Sequence, residues 1–410
     1  MSVKPDLQAT TTRHLLLLAA ALSLGAAVSL GVTRFAYGLL LPAMREDLGW
    51  SYALAGGMNT ANALGYFLGA LATPYLMRRL GASDVLRLGA VLCSLFMGFS
   101  GFFIQSEPLL LQRLLAGVAS ALVFISGGLL AARLGVRDPR HSGFLLGIYY
   151  GGTGLGIVGS SLLVPAVLAW ASSMPHGWQW AWWALALVCV VATGLMHWPA
   201  REMAQWPQAQ AATGNPGAIF RWRDFAFGLC GYTMFGMGYI GYMTFVVALL
   251  RSQGRSAVEI TVFYALLGLA VMASSRIWAR LLDRYRDGRP MALLNALLGL
   301  ATLVPALTQW WVAVLFSGML FGAVFLSVVA SSTALVRHNL PPASWASGIS
   351  AFTVVFAAGQ IIGPTVVGWI ADGSGGLERG LVISAMALWL GTGLALRQRP
   401  LHGGKAVASA

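Results

Sequence analysis

The sequence predicts an all-α integral membrane protein, with twelve transmembrane helices in two six-helix pseudo-repeats. Three observations carry that expectation. The 410 residues are 58% hydrophobic and only 10% charged, with a mean hydropathy of +0.73, a balance that a soluble globule cannot bury. Apolar runs of about twenty residues, enough for a helix to cross ~30 Å of hydrocarbon, recur along the whole chain. They lack the alternation of a membrane barrel, so their backbone polar groups must be paired within helices.

In order, residues 1–14 read as a polar N-terminal tail and the first apolar run as 15–44. That run is too long for a signal-peptide core and no small-residue cleavage site follows it, so it is expected to be retained as a helix. Further spans are expected at 52–77, 85–104, 109–132, 143–170 and 181–198, completing an N-terminal half over 15–198. Residues 199–223 carry Pro199, Pro207, Pro216 and a Gln/Ala stretch, which suits a flexible cytoplasmic connector. A C-terminal half over 224–397 follows, with spans at 225–250, 260–282, 290–308, 310–336, 344–370 and 380–396, then a tail over 398–410. An offset of 205 aligns Gly31 with Gly236, Tyr37 with Tyr242, Arg79 with Arg284, Gly117 with Gly322 and Gly154 with Gly359. Two such repeats, with a site between them near mid-membrane, are a transporter arrangement.

The formal net charge of +13 is a topology signal. With the N-terminus inside, Arg45, Arg251, Arg255 and Arg379 fall in outer loops and Arg34 and Arg113 in the membrane zone; the other basic residues fall on the inner side. The positive-inside rule then places both termini in the cytoplasm, and nucleic acid is not an expected partner. Cys93, Cys189 and Cys230 lie far apart in apolar segments and read as small buried hydrophobes. No metal-ligand cluster, Ser/His/acid set or phosphate loop stands out, so neither an enzyme nor a resident metal or cofactor is expected.

Four motifs sharpen the class. After span 2 the chain reads Pro74-Tyr-Leu-Met-Arg78-Arg79-Leu-Gly81, and after span 8 Ala279-Arg280-Leu-Leu-Asp283-Arg284-Tyr. Both resemble the Gly-x-x-x-Asp-Arg-x-Gly loop of the major facilitator superfamily, although the first has Arg78 in place of the acid and Pro74 in place of the first glycine. Span 4 holds Arg113-Leu-Leu-Ala-Gly117, similar to the fourth-helix Arg-x-x-x-Gly motif of that superfamily; the alternative is a snorkelling arginine paired with Glu107. Span 11 carries Gly359-Gln360-Ile-Ile-Gly363-Pro364, whose spacing resembles a drug-antiporter motif that normally lies in span 5. Arg34-Phe-Ala-Tyr37-Gly-Leu-Leu-Leu-Pro42 in span 1 and Gly236-Met-Gly238-Tyr239 in span 7 resemble the YbfB/YjiJ-type branch. The resemblance implies a bacterial inner-membrane carrier working by alternating access. It also implies gating roles for Arg78, Arg79, Gly81, Arg113, Gly117, Asp283, Arg284, Gly363 and Pro364.

Arg34 is the residue that most needs explaining. It stands some 10–15 Å from the outer end of its span at ~1.5 Å per residue, too deep to snorkel fully. All thirteen acidic residues lie in loops, tails or span ends, so no mid-membrane carboxylate is available to shuttle a proton. What remains in the middle is one cation with uncharged donors: Tyr37, Asn59, Asn62, Tyr149, Tyr150, Thr153, Tyr239, Tyr242 and Gln360. A planar guanidinium suits bidentate capture of a carboxylate, with tyrosine hydroxyls fixing its orientation. For each tyrosine the alternative is a packing role, and for Arg34 an internal bond to the protein. The expected function is secondary transport of a small organic solute, an organic anion on this reading, by uniport, exchange or symport in which the proton travels on the substrate. Efflux of amphipathic compounds and a transport-inactive sensor or scaffold are the alternatives. Membrane lipids are expected partners, and the carrier is expected to be a monomer.

Overall fold

The computed structural model describes residues 12–206, 220–341 and 344–401. We number its long helices α1 (Thr12–Leu48), α2 (Tyr52–Leu80), α3 (Ala82–Phe99), α4 (Ser106–Arg137), α5 (Ser142–Trp170), α6 (Trp178–Ala204), α7 (Ala226–Ser252), α8 (Ala257–Ile277), α9 (Arg289–Leu307), α10 (Trp311–Asn339), α11 (Trp345–Ala371) and α12 (Gly376–Leu396). Eleven of these positions carry helices long and apolar enough to cross a membrane. The twelfth, α2, is 29 residues long and carries Asn59, Asn62, Arg78 and Arg79, which dilute its hydropathy. Helix ends differ from the sequence expectation in places: α6 runs through Pro199 to Ala204, and a short helix over Ala279–Arg284 follows α8. Residues 1–11, 207–219 and 402–410, which include most of the expected tails and connector, lie outside the described residues.

Glycine contacts show the duplication in three dimensions. A Cβ on Gly31 of α1 would lie 2.6 Å from the Cα of Gly156 on α5, and the pairing recurs between α7 and α11, where a Cβ on Gly359 would lie 3.1 Å from the Cα of Gly236. Likewise Gly117 of α4 packs on the backbone of Asn62 in α2, as Gly322 of α10 packs on Leu267 in α8. Small residues at these crossings let helix backbones approach closely, which is how bundles associate in lipid.

One end of the bundle carries Thr12 and Gln398; we call it the near end. There Thr12 donates to Asp138 Oδ2 at 3.2 Å, His14 meets Glu202 at 2.6 Å, and Gly228 N donates to Gln398 Oε1 at 2.9 Å. His141 also bonds Asp138 at 2.8 Å and, as the main cause, holds that carboxyl below its ordinary range.

At the far end the halves are tied together. Asp372, which follows α11, accepts from Tyr52 N at 2.7 Å and Ala53 N at 2.9 Å, two otherwise orphaned amides at the start of α2. Thr60 bonds Ile361 O and Thr365 at 2.7 and 2.8 Å. Tyr264 donates to Phe35 O at 2.9 Å. A cavity of about 550 Å³ opens at this end beside Leu39, Asp47, His176 and Arg251; Arg34 does not line it.

One cysteine departs from expectation. Cys93 and Cys189 are buried, whereas Cys230 is exposed. It falls on the side of α7 opposite the stripe formed by Gly228, Gly231, Tyr232 and Phe235, which faces the interior.

Candidate functional site

The middle of α1 is not an ordinary α-helix. Ala27–Phe35 is π-helical, and Ala36 N reaches back five residues to Gly31 O at 3.1 Å. Thr33 Oγ1 donates to Val28 O at 2.6 Å, and Ser29 and Ser120 exchange hydroxyl-to-carbonyl bonds that hold the segment to α4. A wider turn rotates everything after it relative to the first half of the helix, and such segments are frequent at functional sites. Here it turns Arg34 into the bundle.

Arg34 is 3% exposed and Arg113 1% exposed; they are the two buried charged side chains among the described residues. Arg34 Nη2 donates to Gln360 Oε1 on α11, an oxygen that also accepts the Tyr239 hydroxyl from α7 at 3.1 Å. The guanidinium lies 5.7 Å from the Tyr66 ring centroid, and its Nε has no partner among the described residues. A buried cation bonded to a neutral amide oxygen keeps its full charge, with donors to spare, in a setting where desolvation costs several kcal/mol.

Arg113 removes one alternative and corrects one expectation. It neither snorkels nor pairs with Glu107, and Arg34 is not the lone cation at this depth. Position 113 lies on the α4 face that packs against α2, so its side chain points inward, where acceptors are within reach. Nη1 donates to Thr33 O at 2.7 Å and Nη2 to Asn59 Oδ1 at 3.0 Å, with the Tyr37 and Trp182 rings at 4.8 and 5.7 Å. Asn59 Nδ2 in turn donates to Thr244 Oγ1 on α7 at 2.8 Å. No carboxylate neutralises either arginine among the described ion pairs.

The other expected site residues sort by position. Gln360 and Tyr239 meet Arg34, while Tyr37 and Asn59 gather round Arg113. Asn62 Nδ2 donates to Arg113 O at 3.1 Å. Tyr37 donates to Ala55 O at 2.8 Å. Tyr149 is buried and donates to Phe124 O at 2.7 Å, a packing position. Tyr150 is 38% exposed, with its ring 5.6 Å from Phe124 and 5.3 Å from Tyr149. Tyr242 stacks on Phe321 at 4.1 Å.

Sequence reasoning missed Tyr66 and the rings beside it. Asn59, Asn62 and Tyr66 follow the i, i+3, i+7 spacing of one helix face, which was the available signal. Tyr232, Tyr239 and Phe356 form a near-parallel set, with Phe356 5.0 Å from Tyr232 and 5.6 Å from Tyr239.

Of the expected gating residues, Arg78, Arg79, Asp283 and Arg284 are exposed at the near end. Gly81 ends α2 with φ +86°. Asp283 makes no hydrogen bond or ion pair among the described residues; the loop after it is held instead through its backbone, with Asn339 Nδ2 donating to Arg286 O at 2.7 Å and Gly288 N to Gln398 O at 3.1 Å. Gly363 packs on Met237, and the Pro364 carbonyl closes on Gly56 of α2.

The solved nucleoside transporter NupG superposes with a TM-score of 0.70 over 93% of this chain and 98% of its own, at 14% identity. A bacterial homolog of the human lysosomal transporter Spinster, solved inward-facing and unoccupied, superposes with a TM-score of 0.67 over 93% and 97% at 17% identity. In sequence, a putative tartrate transporter of Agrobacterium vitis is 24% identical over 86% of this chain and 83% of its own. A chloramphenicol resistance protein of Streptomyces lividans is 27% identical over 88% and 92%. The inner membrane metabolite transport protein YgcS of Escherichia coli (strain K12) is 28% identical over 49% of this chain, which spans about 44% of that relative's length. The family model described as "Uncharacterised MFS-type transporter YbfB" matches residues 26–396, and with twelve helices in two repeats the chain belongs to this family of major facilitator transporters.

Proposed function

We propose that this carrier moves a small organic anion, held by Arg34 at the junction of α1, α7 and α11. The observation that carries the reading is a buried guanidinium that bonds a neutral amide, keeps a donor unpartnered and has no counter-ion. An anionic ligand would supply the missing charge, and Gln360 and Tyr239 are placed to adjust to its arrival. The relative named as a putative tartrate transporter fits an anionic solute. Arg113 would hold the binding helix in shape through Thr33 O and Asn59.

Alternating access would proceed from a state tied at the far end by Asp372 and Thr60. The excess of basic residues at the near end supports a cytoplasmic placement of both termini in a bacterial inner membrane, with the far end periplasmic. A monomer in contact with lipid completes the reading.

Reconstitution tests it. Uptake of radiolabelled carboxylates into proteoliposomes should saturate with the intact protein and vanish in a folded Arg34→Gln variant; normal uptake by that variant defeats the anion site. Efflux of amphipathic compounds is the second reading, favoured by the chloramphenicol resistance relative and by Gly363-Pro364. Arg34-independent transport of a neutral drug in the same vesicles would support it instead.

A further inference from the structure

We infer that the solute is a monocarboxylate with a flat, unsaturated body, not a hydrophilic dicarboxylate. This rests on the anion site proposed above and specifies what that site takes. Two groups of aromatic rings, one from each half, reach Arg34 through Tyr66 and Tyr239. Tyr66, Phe124 and Tyr150 belong to α2, α4 and α5; Tyr232, Tyr239 and Phe356 belong to α7 and α11. The rings of the second group are near-parallel, Phe356 lying within 16° of Tyr239 and 25° of Tyr232. Phe124 meets Tyr150 at 5.6 Å in the first group. The two groups meet at Arg34, whose guanidinium lies 5.7 Å from the Tyr66 ring centroid and shares the Gln360 oxygen with Tyr239.

Tyr232 and Tyr239 are buried, but the other four rings are not closed core. Tyr66, Phe124 and Phe356 are half-buried, and Tyr150 is 38% exposed. Ring faces left open beside a cation offer stacking to a planar group and little to a hydroxylated one. The number of available cations limits the charge. Arg113 has an unpartnered Nε too, but both its Nη atoms are bonded, to Thr33 O and Asn59 Oδ1, and the Tyr37 and Trp182 rings enclose it, which leaves Arg34 as the cation to receive a carboxylate. A second carboxylate would be desolvated among rings with no partner.

Competition binding to the detergent-purified full chain at pH 8 tests this, with radiolabelled benzoate as probe. Benzoate should bind saturably, cyclohexanecarboxylate about tenfold more weakly, and succinate and tartrate at least about a hundredfold more weakly. Phe356→Leu should weaken benzoate about tenfold while leaving cyclohexanecarboxylate nearly unchanged, and Tyr66→Leu should do the same from the other group. An unchanged melting temperature in detergent reports that the variants are folded. Succinate or tartrate competing as well as benzoate overturns the inference and leaves the anion site standing, as does equal loss of both monocarboxylates in folded variants. If no carboxylate binds the intact protein, the anion site itself falls, and this inference with it.

Discussion

The Arg34 guanidinium and the Gln360 side-chain oxygen are hydrogen bonded across the two halves of the transporter, and the same oxygen accepts from Tyr239. A neutral oxygen satisfies geometry without cancelling charge, so the pair is suited to release its arginine to a better acceptor. Gln360→Leu should therefore weaken solute affinity by about tenfold while leaving maximal uptake within a few-fold, because Arg34 remains in place. Arg34→Lys keeps charge but loses the fork and should fall between wild type and Arg34→Gln. Uptake kinetics in proteoliposomes check both. A Gln360→Leu carrier with wild-type affinity would show that the amide plays no part in the site.

Arg113 should behave differently, since its bonds end on protein atoms. Truncation to methionine orphans Thr33 O and Asn59 Oδ1, each at a cost of about 1–3 kcal/mol when buried. Arg113→Met is expected to lower the detergent melting temperature by several degrees, and Arg34→Gln to leave it nearly unchanged. Differential scanning fluorimetry on the two variants decides the matter. Equal loss of stability would mean that Arg34 is as structural as Arg113.

The twelve spans were legible because lipid imposes length and apolarity on every helix, and the repeat was legible because Gly31/Gly236 and Gly117/Gly322 recur at fixed spacing. Arg34 stood out through the cost of its charge. The π-helical turn did not, because Ala27–Phe35 has the composition of any small-residue helix and its packing on Gly156 and Ser120 lies far along the chain. Depth counted along a span also misled for Arg113, since residue number does not tell which face of α4 looks inward. Tyr66 and Phe356 became site residues only once α2 and α11 were placed beside α1.

Two adjacent glycines on α5 should give opposite outcomes. A Cβ on Gly152 would meet the Ser23 backbone of α1, with its carbonyl carbon at 2.7 Å and its Cα at 3.1 Å, whereas one on Gly151 meets nothing within 4 Å. Backbone cannot yield as a side-chain tip can, so Gly152→Ala must push α1 and α5 apart, just below the π-helical turn. It should depress both melting temperature and uptake. Gly151→Ala should be neutral or stabilising by up to about 1 kcal/mol, as expected for replacing a helical glycine. Similar thermal stability for the two variants would refute the close crossing.

At the far end, Asp372 links the end of α11 to the first amides of α2 at 2.7 and 2.9 Å. Hydrogen bonds to a charged group contribute about 1.5–3 kcal/mol, and a carboxylate at a helix N-terminus adds about 0.3–1 kcal/mol. Loss of ~2 kcal/mol from the closed arrangement alone shifts the closed-to-open ratio by about thirtyfold. Ser51 also caps α2, accepting from Leu54 N at 3.1 Å, so the helix itself should survive Asp372→Ala. Spin labels on Ser172→Cys in the α5–α6 loop and Val258→Cys at the start of α8 report the separation of the halves, both positions being exposed. They are best placed in a Cys230→Ser background, because Cys93 and Cys189 are buried. Pulsed electron–electron resonance should show a single short distance in the parent and an added longer component in Asp372→Ala. Asp372→Asn, which keeps an acceptor but no charge, should fall between them. Unchanged distance distributions would mean that the Thr60 and Asn59 bonds hold the far end shut without Asp372.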